Sequence, residues 1–222
     1  MDLRRRAAIY AALGDPDRLR IVTTLWLGDL SPGELSARIG ISPTCLAHHL
    51  DVLEAAAVVR RRASRADARR RFVGLRHATA AAVGIRELVP SAPRRLLFVC
   101  THNSARSQLA VAVWRGLTGL DATSAGTAPA DAVHPQAIAA ARRHGLRLEG
   151  NPPRHLRQAP TAGRTVVTVC DDAHEAVGRA RGWLHWSVPD PAAIGTRAAF
   201  DTTVAELRER ISPLTTRKEY SP

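Results

Sequence analysis

From Leu13 to Leu53 the apolar positions recur at helical spacing, in three short stripes separated by capping signals. LGDPDRLRIVTTLWLG opens with Asp15-Pro16, a helix start, and sets Leu19, Val22 and Leu25 on one face. Ser31-Pro32-Gly33-Glu34 has the S-x-x-E shape of a capping box; it opens a short helix that runs through Ile39 and stops at Gly40. Ile41-Ser42-Pro43-Thr44 starts a third helix, with Ser42 as cap, Pro43 at its first position and Leu46, Leu50 and Leu53 as its buried stripe. Two short helices joined through a glycine turn make a helix-turn-helix.

The period then changes. AAAVVRRRAS and ARRRFVGL each carry a β-branched or aromatic core beside arginines, around the polar turn Ser64-Arg65-Ala66-Asp67, and predict a hairpin. HATAAAVGIRELV predicts a closing helix, and VPSAPRR a linker. RRLLFVC is a short apolar run of strand type, followed by SQLAVAVWRGLTG with Leu109, Val113 and Leu117 at helical spacing. DATSAGTAP, the helix HPQAIAAARRHGL ended by Gly145, the strand RTVVTVC and the segment HWSVPDPA come next. A final helix places Phe200, Val204, Leu207 and Ile211 on one face. Strands alternating with helices predict an open parallel sheet. The expected architecture is an α+β winged helix-turn-helix domain over 1–88, a linker over 89–94, and an α/β open parallel sheet domain over 95–222.

Composition supports two cores, since 222 residues with 45% hydrophobic content can fill both. No stretch approaches the roughly 18 to 20 uncharged apolar residues of a membrane span. MDLRRR leads into ALGDPDR rather than a long apolar run, so a cytoplasmic protein without membrane contact is expected. The net charge of +12 suggests an acidic partner, nucleic acid being the usual one. Each half carries +6, so bulk charge does not locate a site. Clustering does, because seven arginines fall between Arg60 and Arg71. Three cysteines without a C-x-x-C pair form neither a disulfide framework nor an ordinary zinc site, and no metal site is expected.

One of those cysteines stands in VCTHNSARSQ, where Cys100 and Arg106 flank five small or polar residues between a strand and a helix. The successive N–H groups of Thr101, His102, Asn103, Ser104, Ala105 and Arg106, with a helix N-terminus behind them, suit a tetrahedral oxyanion. The same field favours the thiolate of Cys100, and a guanidinium at Arg106 can hold two oxygens of the anion in bidentate fashion. The loop thus sets a nucleophile beside an anionic substrate.

Two resemblances add to this reading. ALGDPDRLRIV, then ISPTCLAHHLDVLEAAAVV, then the basic hairpin resemble the ArsR family of winged-helix repressors over about residues 5–80. That resemblance implies a two-fold homodimer on a double-stranded DNA operator, with the helix from Pro43 to Leu53 in the major groove. Ser42, Thr44 and His48 are then the base-side candidates, His49 either reads DNA or packs against the neighbouring helix, and wing arginines such as Arg65 and Arg69 meet phosphates. Many such repressors sense metal through a C-x-C pair before the recognition helix. Gly28 to Gly33 holds no cysteine here, and Cys45 lies on the recognition helix instead.

Residues 94–215 resemble the low-molecular-weight tyrosine phosphatase fold, and within it the arsenate reductase branch. SAGT at Ser124 to Thr127, HPQAI at His134 to Ile138, TVCDDA at Thr168 to Ala173 and HWSVPDPA at His185 to Ala192 carry the likeness. It implies that Cys100 is the nucleophile, Arg106 the oxyanion ligand, Ser107 a support for the thiolate, Asn103 a loop former and Asp190 the general acid. Ala192 stands where phosphatases of this fold usually put an aromatic, which favours a small anion such as arsenate or phosphate. Cys170 matches a second redox cysteine, while the third, seven residues on, is Val177. Two electron routes therefore stay open. In one, a Cys100–Cys170 disulfide is reduced from outside; in the other, an external thiol supplies the second sulfur. No bound cofactor is expected, only a thiol reductant, either a low-molecular-weight thiol with a glutaredoxin-type protein or thioredoxin. A phosphatase, or a sensor that binds the anion without turnover, are the alternative readings.

Overall fold

The computed structural model describes residues 1–85, 93–148, 151–178 and 182–215. The chain divides into two compact units, Met1–Pro90 and Ser91–Pro222. Most of the expected linker, residues 89–92, lies outside the described residues, as does the end of the expected closing helix.

In the first unit, α1 (Leu3–Leu13) and α2 (Pro16–Thr24) precede α3 (Pro32–Ile39) and α4 (Pro43–Ala55). The local chemistry sets each start. Asp15 caps α2 by accepting from the N–H groups of Asp17 and Arg18, and Ser31 with Glu34 closes a complete capping box at α3. Gly40 ends α3 in the left-handed conformation at φ 78°, which turns the chain towards the Ser42 cap of α4. Ile21, Val22, Leu25, Leu35, Leu46, Leu50 and Leu53 are buried and form the core with Val58, Val59 and Phe72.

The wing is an antiparallel pair, β1 (Val59–Ala63) and β2 (Arg71–Leu75). Its turn is longer than expected, because the buried Ser64 hydroxyl accepts from the N–H groups of Ala66 and Asp67 and holds the chain out as far as Arg70. The closing helix is shorter. α5 covers His77–Ala81, and Gly84 then adopts φ 82°, which stops it.

The second unit holds a four-stranded parallel sheet in the order β4-β3-β5-β6, made by β3 (Leu96–Cys100), β4 (Ala122–Gly126), β5 (Thr165–Thr168) and β6 (Leu184–His185). All five residues of β3 are buried, as a central parallel strand requires. α6 (Arg106–Thr118), α7 (Pro135–Arg143), α8 (Asp171–Val177), α9 (Pro191–Ile194) and α10 (Arg197–Thr215) complete the unit. Phe200, Val204, Leu207 and Ile211 of α10 are fully buried, in line with their spacing. On α6, Leu109 and Val113 are buried, whereas Leu117 is exposed. Two steps of four residues overrun the 3.6-residue period, and Ala110 and Trp114 supply the remaining inward positions.

Candidate active site

The sheet decides where the thiols lie. β3 and β5 are parallel neighbours, with Val99 opposite Thr168 and the Val169 N–H donating to the Val99 carbonyl at 2.7 Å. Cys100 and Cys170 therefore stand at the same carboxyl end of adjacent strands, the end at which open parallel sheets bind ligands. Both are buried.

The loop after Cys100 is shaped from outside. Its carbonyls at Cys100, Thr101, His102 and Ser104 accept from the N–H groups of Thr127, Ala128, Ala130 and His134, which turns them towards the segment after β4. The N–H groups are left to the inside, and among the described residues those of His102, Ser104, Ala105 and Arg106 meet no acceptor. Ala105 precedes α6 without any side-chain cap, so the first turn of that helix faces the same space. Asn103 sits at φ 50° with its side chain fully buried. Asparagine tolerates that left-handed conformation, and its amide secures it: Oδ1 accepts from the Arg154 N–H at 3.0 Å while Nδ2 donates to Ser107 Oγ at 2.9 Å. Gly126 lies so close below that a Cβ there would come 2.5 Å from the Thr101 carbonyl oxygen.

Ser107 Oγ lies 3.1 Å from Cys100 Sγ and accepts from Asn103 Nδ2, which leaves its hydroxyl proton available to the sulfur. The Asn103 N–H donates to the same sulfur at 3.2 Å. Two groups able to donate, the Ser107 hydroxyl and the Asn103 N–H, thus converge on Cys100 Sγ. The buried Arg106 guanidinium donates to the Val188 carbonyl at 3.2 Å through one nitrogen and pairs with Asp190 Oδ2 at 3.2 Å through the other. The same Asp190 caps α9, its Oδ1 accepting from the Ala192 N–H at 3.1 Å. Capping fixes the carboxyl group, and the fold brings it to the loop.

Cys170 is held differently. Its sulfur accepts from the Ala173 N–H at 3.4 Å and lies 3.5 Å from Thr101 Oγ1. Burial pushes its pKa up to about 11, opposed by the Arg106 guanidinium and reinforced by Cys100. It stays a neutral thiol near pH 7. Behind it, Thr168 Oγ1 lies 2.9 Å from His185 Nδ1, whose Nε2 lies 3.1 Å from Asp171 Oδ1, all three residues being buried. Sequence reasoning quoted the segments that hold Val188, Thr168, Asp171 and His185 without giving these residues a role. Arg154 was missed entirely, because its partner Asn103 is 51 positions away.

The profile of the low molecular weight phosphotyrosine protein phosphatase family matches residues 95–219, more than half of the chain. The chain belongs to that family. A helix-turn-helix domain profile matches residues 13–62, so in this phosphatase-family protein an ArsR-like helix-turn-helix regulator module precedes the phosphatase-like one. The uncharacterized HTH-type transcriptional regulator YceK of Bacillus subtilis is 37% identical over 76 residues, which cover 33% of this chain and 73% of the relative. The transcriptional repressor SdpR of the same organism is 33% identical over 51 residues, 23% of this chain and 57% of the repressor. Among solved structures, an arsenate reductase of Archaeoglobus fulgidus is 28% identical, with a TM-score of 0.48 over 54% of this chain and 98% of that one. The low molecular weight protein tyrosine phosphatase of T. tengcongensis is 22% identical, with a TM-score of 0.49 over 54% of this chain and 96% of that one.

In the helix-turn-helix unit of this phosphatase-family chain, Ser42, Thr44 and His48 are exposed on one side of α4, and Arg65 and Arg69 are exposed in the wing turn. His49 needs a correction. Only 9% of its side chain is exposed, and it faces Asp15 at the start of α2, so it has no path to a base edge. Its position one residue after His48 turns it by about 100° around the helix, which is enough to move it from the outer face to the inner one. No helix of the described residues is long and apolar enough to cross a membrane.

Proposed function

We propose that the chain is a DNA-binding transcriptional regulator whose second unit reduces arsenate to arsenite with thiols. The observation that carries this reading is the pair of thiols at one sheet end, Cys100 beneath two converging donors and Cys170 on the neighbouring strand. The Cys100 thiolate attacks arsenic, a sulfur–arsenic bond forms, and one oxygen leaves as water with a proton supplied by Asp190. A second thiol then attacks the Cys100 sulfur. A disulfide forms, the electron pair of the broken sulfur–arsenic bond passes to arsenic, and arsenite leaves. An external thiol system, thioredoxin or a low-molecular-weight thiol with a glutaredoxin-type protein, restores the dithiol.

Ala192 supports a small inorganic substrate, because the residue after Asp190-Pro191 offers no ring on which a phosphotyrosine could stack. On the other unit, Ser42, Thr44 and His48 of α4 read base edges of a duplex while Arg65 and Arg69 neutralise phosphates, in a two-fold dimer. The test is arsenite production by the purified chain with thioredoxin-type and glutaredoxin-type reductants, beside Cys100→Ser and Cys170→Ser. Turnover lost in the first variant supports the reductase, and the second chooses the source of the attacking sulfur. Hydrolysis of a phosphotyrosine substrate without arsenite production would favour a phosphatase. Anion binding without any turnover would favour a sensor that acts on the DNA-binding unit.

A further inference from the structure

His49 is the one residue of α4 whose burial the DNA-binding reading leaves unused. Its Nε2 lies 3.3 Å from Cys45 Sγ, one helical turn earlier. Its Nδ1 is buried, has no hydrogen-bond partner, and points at Asp15 Oδ1 from 4.0 Å. That separation is too long for an N–H···O hydrogen bond, whose range is about 2.7–3.2 Å. Asp17 lies in the same group, and ligand atoms of Asp15, Asp17 and His49 all fall within 4.8 Å of one another. With Nε2–H donating to the cysteine sulfur, Nδ1 presents a lone pair to two carboxylates, and three acceptors then face one another.

The neighbours leave part of this group open. Asp15 Oδ1 accepts from the N–H groups of Asp17 and Arg18 at 2.9 and 3.0 Å, while Arg18 approaches its other oxygen at 3.8 Å. Arg20 pairs with Asp17 Oδ1 at 3.3 Å, leaving the second oxygen of Asp17 to the cluster.

We propose that Asp15, Asp17 and His49 bind a divalent first-row transition cation, with water completing its shell, which ties the DNA-reading helix α4 to the start of α2. Bonds of about 2.0–2.2 Å from one cation reach ligand atoms at these separations with sub-ångström closure. One imidazole and two carboxylates suit zinc, manganese or iron(II) rather than a thiophilic ion. Cys45 acts from behind by fixing the ring through Nε2, the usual role of a group hydrogen-bonded to a metal-bound histidine. The cation sets the rotation of α4, and with it the direction in which Ser42, Thr44 and His48 project. This inference is independent of the arsenate reading, which concerns the other unit.

Titration of the full chain with zinc chloride by calorimetry tests it, in a Cys100→Ser, Cys170→Ser background so that the thiols of the second unit take up no zinc. One zinc per chain is expected. Asp17→Asn and His49→Gln should each weaken it by about 100-fold or more, and Cys45→Ser by about 10-fold. Asp17→Asn keeps shape at a half-buried position and decides the matter if the histidine variant fails to fold. Cobalt(II) should give ligand-field absorption without a thiolate charge-transfer band, because Cys45 touches only the ring. No zinc bound at all, affinity unchanged in Asp17→Asn, or a thiolate band with cobalt would each overturn the proposal.

Discussion

The two units keep their polar chemistry on opposite sides of their surfaces. In the first, Ser42, Thr44, His48, Arg65 and Arg69 are exposed, and each owes its position to the phase of one helix or one hairpin. In the second, Asn103, Arg106 and Ser107 are buried and depend on groups far along the chain, Arg106 on Val188 and Asp190, Asn103 on Arg154. The first arrangement tolerates change, because a solvated side chain loses little when its neighbour is altered. The second does not, since removing one buried partner leaves the other without compensation. An outward surface suits a long polyanion approached from solvent, and an enclosed cradle suits a small anion stripped of water.

That contrast fails first if damage to one unit spreads to the other. Phe98→Ala empties a fully buried site beside Trp186, 5.6 Å between ring centroids, and should cost the second unit about 3–5 kcal/mol. Chemical denaturation followed by tryptophan fluorescence should show that loss, while binding of the first unit to duplex DNA persists; loss of both would mean the units are not separate. Next in size, Arg106→Lys keeps a positive charge but forfeits the planar fork, and kcat/KM for arsenate should fall about 10²- to 10³-fold. A change below tenfold would show that the pairing with Val188 and Asp190 does not position the group.

Cys170 sharpens the comparison through pH. Its folded pKa of about 11 stands above the ordinary 9.0. The unfolded chain therefore releases the proton first, and the folded state loses stability as pH rises from 9 to 11, by about 1.4 kcal/mol per pH unit. Below pH 9 the thiol is protonated in both states and contributes no pH dependence. Cys170→Ser should flatten this alkaline limb in urea titrations, and parallel curves for the two proteins would show that the thiol is not shielded. A smaller effect belongs to Ser31→Ala, which removes one side of a capping box and should cost the first unit about 1 kcal/mol. Smallest of all, Arg69→Ala at an exposed position should leave stability unaltered. It should reduce the salt slope of DNA binding by about 1 if Arg69 meets a phosphate.

The helix-turn-helix was legible because its signals are local. Asp15-Pro16, Ser31 with Glu34, Gly40 and Ser42-Pro43 each act within four residues, and the structure uses every one of them. Cys100, Arg106 and the oxyanion loop were legible for the same reason, being seven contiguous residues between an apolar strand and a helix. His49 was not, because one step along α4 changes its face and only α2 reveals which. Leu117 misled through a period taken as four where the helix turns every 3.6 residues. The support behind Asn103, Cys170 and Arg106 was out of reach, since each bond joins positions separated by 51 to 82 residues.

The order of residues by itself determined where α2, α3 and α4 begin and where α3 ends, which strand carries the thiol, and that a guanidinium follows it in the same loop. Caps, glycine turns and hydrophobic period act over a few bonds, so the sequence alone expresses them. Only the tertiary structure decided that Cys170 stands beside Cys100, that Asp190 meets Arg106, and that His49 turns inward to Asp15. Those pairings depend on strand register and helix packing, which maximise buried apolar area and minimise unsatisfied polar groups over the whole unit at once, and no short stretch of sequence contains that sum.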